Sequence, residues 1–418
     1  MGVYLDHNAT SPASSAHLAQ LIAWYEQVVG NPSSQHAAGR SASVALTEAR
    51  KNVARSVGCE PSEVVFVSGG SEANNLATKG VLLAASDRLD ELHAITSAIE
   101  HPCVLEPLRS LAVNQGLQLT ILSVDNEGRI ELSELIRSLR SNTTLISIMA
   151  ANNEIGSIQP VRAFAEWLNF VRWLKVKPGF DWRSSSETQW PEWAKELSSE
   201  IGQAQLQRLH FHVDAVQAWG KLRVEEWCSS GFDSFSLCGH KVGGIAGVGA
   251  LILRRGRKFE PLIQGGAQER SRRAGTENLM GILSLGLVAR ESLNPDWWKN
   301  VEIMQGLSDR LRSALSRCNG ILMNSPELGC LPNTLNICVN SSRIRGEDLL
   351  MELDLQGFYI SSGSACSSGA NRSSHVLLAI GRSQDEARNG LRFSLSPSNS
   401  EQEIDQLCEA LFNIFSKR

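Results

Sequence analysis

Little in this chain points to a highly charged partner or to a membrane. The formal net charge is −4 over 418 residues, so composition supplies no electrostatic argument for nucleic acid or an anionic lipid surface. The short basic runs Arg254-Arg255-Gly256-Arg257-Lys258 and Arg270-Ser271-Arg272-Arg273 read as solvated faces or subunit contacts. No apolar run approaches the ~18 residues of a membrane span, and the start, Met1 to Asp6, lacks the pattern of a secretory signal. The nine cysteines are scattered and odd in number, with no Cys-x-x-Cys pair. That spacing argues against a zinc ribbon and a disulfide framework; it predicts reduced thiols, no metal and a cytoplasmic location.

What is present is a repeated punctuation. Val3 to Asp6 reads as a strand left by the turn Asn8-Ala9-Thr10-Ser11-Pro12, and Asn31-Pro32-Ser33-Ser34 as a second turn. Helical periodicity runs from about Ser41 to Val57. The strand Glu63 to Ser68 is broken by Gly69-Gly70-Ser71 and followed by the helix-like Glu72 to Ala77. Strands at His93 to Thr96, Thr144 to Met149 and Phe211 to Val213 each run into a polar group, ending in His101, Asn153 and Asp214-Ala215-Val216-Gln217. With helices between them, this predicts an α/β fold with a mostly parallel sheet and a ligand crevice beyond the strands' carboxyl ends.

From about 170 to 208 the texture changes. Trp173, Trp182, Trp190 and Trp193 sit among charges, prolines and serines with no clear period, the mark of an inserted surface excursion. They would pack on the insertion's own body or cover a partner surface. Beyond it lie an apolar strand, Ile245 to Leu253, and long helical periodicity from about Trp297 to Arg317 that reads as the passage to a second domain. A strand at Leu335 to Val339, a helix at Glu347 to Leu355, a strand at Asn389 to Leu395 and a helix at Glu401 to Phe415 complete the order. The domains expected are 15–297 for the large one, and 1–14 with 298–418 for a smaller α+β one.

Three stretches carry chemistry. In Ser236-Leu237-Cys238-Gly239-His240-Lys241 a lysine follows a strand among small residues, with no carboxylate nearby in sequence. Alone it reads as a loop lysine facing water, but desolvation would keep it partly neutral, and a neutral amine condenses with an aldehyde to a Schiff base. Strand, glycines, hydroxyl residue and helix at 63–77 make an anion site, since close backbone and free N–H groups meet at a helix start; Ser71 would equally serve as a cap. Ser361-Ser362-Gly363-Ser364-Ala365-Cys366-Ser367-Ser368-Gly369-Ala370 is too small and polar to pack, so it reads as a mobile loop with Cys366 at its centre.

Together these residues resemble the cysteine desulfurases of the NifS/IscS type, in the class V aminotransferase group of pyridoxal-phosphate enzymes; selenocysteine lyase is a close relative. The matching motifs are Ser68 to Glu72, Asn152-Asn153-Glu154-Ile155-Gly156, His212-Val213-Asp214, Gly239-His240-Lys241 and Ser361 to Ser368. The resemblance runs nearly end to end, broken by the tryptophan-rich stretch. It implies the fold type I architecture of such transferases, a homodimer with shared active sites, and pyridoxal 5'-phosphate as cofactor. Lys241 would hold that cofactor covalently and move protons, and Asp214 would pair with its ring nitrogen. Gln217 would bond the ring hydroxyl, and His101 would stack on the ring and shuttle a proton. Gly70, Ser71, Cys238 and His240 would hold the phosphate, with Thr276 from the other subunit. Asn153 would line the cofactor site and, with Arg392, fix the carboxylate of L-cysteine, Arg392 by a bidentate pair. Cys366 would attack the substrate sulfur, leaving alanine and an enzyme persulfide for an acceptor protein or scaffold, as in iron–sulfur cluster assembly or tRNA thiolation. A protonated His101, or Arg392, would draw the Cys366 thiol toward its thiolate.

Two positions depart from the family pattern. Cys238 stands where a serine is usual, replacing a hydroxyl by a weaker donor. Val242-Gly243-Gly244-Ile245 replaces the usual Tyr-Gly-Pro after the lysine. The competing readings are selenocysteine lyase, another class V aminotransferase or lyase in which Cys366 is incidental, and a non-catalytic sulfur-transfer subunit.

Overall fold

The computed structural model describes residues 2–27, 30–174, 207–225, 227–341, 344–362 and 373–416. In chain order the strands are β1 (Val3–Tyr4), β2 (Val64–Val67), β3 (His93–Ser97), β4 (Gln118–Leu122), β5 (Thr143–Met149), β6 (His210–Asp214) and β7 (Ser234–Cys238). They continue with β8 (Gly249–Leu253), β9 (Ile321–Met323), β10 (Thr334–Val339), β11 (Phe358–Tyr359), β12 (Ser361–Ser362) and β13 (Gly390–Ser394). Seven of them form one sheet in the order β2-β8-β7-β6-β5-β3-β4. Pairing is parallel except around β8, which runs against both β2 and β7. All its strands but the edge strand β4 are buried along their whole length. Apolar runs buried on both faces are what a sheet covered by helices requires.

The helices Ala37–Ser56 and Leu279–Ser292 pack on one another, where Gly286 lets the two backbones close up: a Cβ there would lie 2.7 Å from Ala49. Phe164, Trp167, Phe211, Phe232, Phe235 and Ile146 belong to the core of this sheet. A second core gathers Leu311, Leu315, Leu335, Leu349, Phe393, Leu407 and Leu411 around the four-stranded sheet β12-β13-β10-β9. The N-terminus belongs there too, since β1 pairs with β11 and Leu5 is fully buried in that cluster.

Several expected elements change at their edges. The strand expected from Ile245 begins only at Gly249, because the chain first turns through Gly247 with φ +84°. The helix Val161–Leu174 carries regular structure into the tryptophan-rich stretch; the rest of that stretch to residue 206 lies outside the described residues. Ser361 and Ser362, expected in a mobile loop, form β12 on the edge of β13, with Ser361 opposite Arg392. Residues 363–372, Cys366 among them, lie outside the described residues. Among the described residues no helix is long and apolar enough to cross a membrane, and no cluster of metal-ligating side chains occurs.

Candidate active site

The carboxyl ends of β2, β3, β5, β6 and β7 all face the same way, since only β8 reverses. At that end lies a cavity of about 160 Å³ lined by Gly70, Ser71, Asn74, His101, Asn153, Asp214, Gln217, Cys238, His240 and Lys241 among others. Nine of the twelve site residues expected from sequence therefore meet, all but Thr276, Arg392 and the undescribed Cys366, with Asn74 added. Gly70 opens the helix Gly70–Asn75, which continues through a π turn into Val81–Ala85. A Cβ at Gly70 would stand 2.7 Å from Val216, whereas one at Gly69 would meet nothing within 4 Å. The helix start is thus tight on the wall side and open on the other, the shape of an anion cradle.

Asp214 is held by its surroundings before any ligand is considered. Its Oδ1 accepts from the Val216 amide at 3.0 Å and its Oδ2 from Asn74 Nδ2 at 2.7 Å. Asn74 sits one helical turn below Gly70, and its Oδ1 lies 3.0 Å from His212 Nε2. His212 Nδ1 and His210 Nε2 both approach Ser234 Oγ, at 2.9 and 2.7 Å. Burial pushes His212 down to about 3 and His210 to about 4, so both rings are neutral. The chain then has one consistent set of protons, His210 to Ser234 to His212 to Asn74 to Asp214, and it aims the carboxylate.

His101 caps the helix Pro102–Gln115, its Nδ1 accepting from the Cys103 amide at 3.1 Å. Burial and the charge on Lys241 lower its pKa, against the pull of Asp214. With Nδ1 an acceptor, the ring's proton lies on Nε2. His240 is likewise pushed down to about 4 by burial and by Lys241. Cys238 Sγ lies 3.0 Å from His240 Nδ1, and burial raises the thiol. The Cys238 S–H also reaches the Val248 carbonyl at 3.8 Å, so the sulfur is fixed on both sides of its contact with the ring. The cysteine that replaces a serine here orients the imidazole.

Lys241 Nζ donates to the carbonyls of Asn8 and Ala9 at 2.7 and 2.8 Å. Gln217 Nε2 reaches the same Asn8 carbonyl at 3.1 Å. Asn8 Nδ2 bonds Asn153 O at 3.1 Å and Thr334 Oγ1 at 2.8 Å, so this one asparagine joins the lysine, the β5 loop and the small sheet. The turn was visible in sequence, but no spacing marks Asn8 as a link to Asn153.

Arg392 and Thr276 lie apart. Arg392 is 2% exposed and does not line the cavity. Its Nη2 pairs with Asp6 Oδ1 at 2.6 Å, Nη1 bonds Asn153 O at 3.1 Å, and Nε has no partner. Its guanidinium is engaged by Asp6 through Nη2, so a bidentate pair with another carboxylate would have to displace Asp6. Thr276 is exposed and lines a separate cavity of about 100 Å³ with Ser68, Glu269 and Arg273. That segment is tied down by Arg273 to Glu72 at 2.9 Å and by the buried pair of Glu269 with Arg50 at 2.6 Å. Residues flanking the cysteine stretch anchor at the site. Ser374 Oγ donates to Glu154 Oε2 at 2.5 Å, and His375 Nε2 lies 2.9 Å from the Glu100 carbonyl, next to His101.

Lys241 and Asp214, at adjacent strand ends, thus face one helix start across the cavity. The chain matches the aminotransferase class-V family over residues 3–171 and 196–407 and belongs to it; the family's enzymes depend on pyridoxal phosphate. The gap in the match falls in the tryptophan-rich stretch. It is 36% identical over 416 residues to cysteine desulfurase IscS of Dictyoglomus turgidum, covering 99% of this chain and 95% of that one. It is 38% identical over 410 residues to cysteine desulfurase 2 of Trichormus variabilis, covering 98% and 92%. Among solved structures, a NifS-like protein superposes with a TM-score of 0.82 at 31% identity over 100% of both chains. SspA in complex with cysteine superposes at 0.73 and 30% identity, covering 95% of this chain and 100% of that one.

Proposed function

We propose that this protein is a cysteine desulfurase that uses pyridoxal 5'-phosphate. The observation that carries the reading is the cavity in which Lys241, Asp214, Gln217, His101 and His240 face the helix start at Gly70. The cavity suits that cofactor: it offers an amine for an aldehyde, a carboxylate for a ring nitrogen and, at Gly70, a helix start held so close to Val216 that no side chain fits there. When bound, the cofactor supplies a protonated ring that withdraws electrons from the substrate's amino-bearing carbon.

The protein's residues do the rest. Lys241 Nζ would hold the cofactor and carry a proton from and to the substrate carbons. Asp214, aimed by Asn74, would keep the ring nitrogen protonated, and Gln217 Nε2 would donate to the ring oxygen. The amides of Gly70 and Ser71 and the imidazole of His240 would hold the phosphate. Asn153 and Arg392 take the substrate carboxylate, Arg392 by exchanging Asp6 for it. A second copy of the chain brings Thr276 to the phosphate, in keeping with its exposed place outside its own cavity. Cys366 attacks the sulfur of L-cysteine: an S–S bond forms, the substrate C–S bond breaks, and its carbon takes a proton. Cysteine and the Cys366 thiol thus become alanine and a Cys366 persulfide, which passes sulfur to an acceptor protein or scaffold.

Cys366→Ser tests this. The variant should retain cofactor and its absorption with cysteine bound, yet form alanine only at background. Alanine released from cysteine at an undiminished rate would overturn the desulfurase reading in favour of a lyase that does not use Cys366. Comparing turnover on cysteine and selenocysteine then distinguishes selenocysteine lyase.

A further inference from the structure

Lys221 is a buried amine that the reaction above does not use. It follows Gln217 by one helical turn, in the turns that leave Asp214, and Gly220, with φ +76°, lets the chain reverse beside it. The residue is 7% exposed, and among the described residues no carboxylate pairs with it. Instead Nζ donates to Gln217 Oε1 at 2.7 Å and to Asn8 Oδ1 at 3.0 Å. It lines a separate cavity of about 520 Å³ and not the one that holds Asp214 and Gln217. Whatever it does for the cofactor it does through its two partners.

An amide presents an oxygen on one side and an NH2 on the other, and half a turn exchanges them. Lys221 Nζ turns its N–H groups to two oxygens, Gln217 Oε1 at 2.7 Å and Asn8 Oδ1 at 3.0 Å, which sets one of the two orientations: oxygen toward Lys221, NH2 away. Gln217 Nε2 is accordingly found 3.1 Å from the Asn8 carbonyl, which also accepts from Lys241. The same amine fixes Asn8, whose oxygen also accepts from Asn333 Nδ2 at 2.9 Å, so that Asn8 Nδ2 is turned to Asn153 and Thr334. One side chain thus sets two amides on either side of Lys241. Burial, with the positive charges of Lys241 and Arg392, lowers the Lys221 pKa well below that of a free lysine; protonated or neutral, it still turns an N–H to the Gln217 oxygen.

We propose that Lys221 is a positioning residue: it holds the Gln217 amide so that only its NH2 faces the cofactor, and thereby favours the ionised form of the ring oxygen. The proposal rests on the pyridoxal-phosphate reading. Without Lys221 the amide turns freely and can offer its oxygen, which prefers a protonated hydroxyl. The ratio of the bound cofactor's absorption bands, which follows the protonation of that ring oxygen, reads this directly.

The test is a double-mutant cycle on purified holoenzyme, with Lys221→Met, Gln217→Leu and the pair. Lys221→Met should move the band ratio toward the protonated form and weaken pyridoxal-phosphate binding about tenfold, the loss of one good hydrogen bond. In the Gln217→Leu background the same change should move the band ratio no further. Lys221→Arg, which keeps a donor, should restore the wild-type ratio, and it carries the test if Lys221→Met does not fold. An unchanged ratio in Lys221→Met, a shift of equal size in both backgrounds, or a folded Lys221→Arg with the methionine spectrum would each overturn the proposal. Wild-type protein that binds cofactor and traps it on Lys241 with borohydride keeps the functional reading whatever Lys221 does. Wild-type protein that binds none overturns both.

Discussion

The two halves of the site are built differently. On the large sheet, Asp214, Gln217, His240 and Lys241 are oriented by an amide, an amine, a thiol and backbone carbonyls: those of Asn74, Lys221, Cys238, and Asn8 with Ala9. None of these contacts joins a cation to a carboxylate. On the small sheet, Arg392 is buried and already paired with the carboxylate of Asp6. On the proposed function, a substrate carboxylate there would have to displace one already present. The first half would then hold a group permanently, and the second would trade one carboxylate for another in each cycle. A buried arginine left with no carboxylate between substrates would be costly, and Asp6 supplies the stand-in.

The largest expected effect breaks the first half. Lys241→Ala should abolish trapping of cofactor by borohydride and lower alanine formation by more than ~10³-fold, since covalent linkage and proton transfer are lost together. Cofactor still trapped on the variant would place the linkage on another lysine.

The next sharpens the contrast at Arg392. Asp6→Asn leaves a buried guanidinium uncompensated, so stability should fall by about 3–5 kcal/mol. Cysteine should restore part of it, and in the Cys366→Ser background its stabilisation of Asp6→Asn should exceed that of the parent. Thermal melts with and without cysteine measure this; equal ligand shifts would mean that Asp6 and substrate do not compete.

The smallest effect lies between the halves, at Glu100, whose carbonyl receives His375. Burial lifts its carboxyl to about 8. The folded state therefore holds a proton that the unfolded state has lost between its ordinary value and that point, and stability falls as pH rises through this window. The histidines act oppositely. His93 and His210, lowered by burial to about 4, favour unfolding as pH drops from ~6.5 toward those values. Glu100→Gln should remove the loss of stability as pH rises toward about 8 and, because that window also spans pH 5 to 6.5, make the histidines' loss on the acid side steeper. Urea melts at pH 5, 6.5 and 8 check it.

The legible part of the site is the part that local punctuation marks. Gly70 and Ser71 break a strand and start a helix, His101 caps one, and Asp214 and Lys241 end strands, so each is announced by its immediate neighbours. Asn8, Asp6, Asn74 and Lys221 carry no such mark. Lys221 meets Asn8 across a separation of 213 positions, and Arg392 meets Asp6 across 386. Likewise the strand character of Ser361-Ser362 comes from pairing with β13, a partner that outweighs two serines' weak preference for extended structure.

By itself, then, the sequence determined the α/β order, the strand-end residues and the family they resemble, because periodicity and glycine breaks are properties of adjacent residues. Only the tertiary structure decided how those residues are aimed. The amide of Gln217, the neutral His101, the thiol set against His240 and the carboxylate held on Arg392 all depend on groups brought together from distant parts of the chain. Burial then fixes their protons, and burial is a property of the fold.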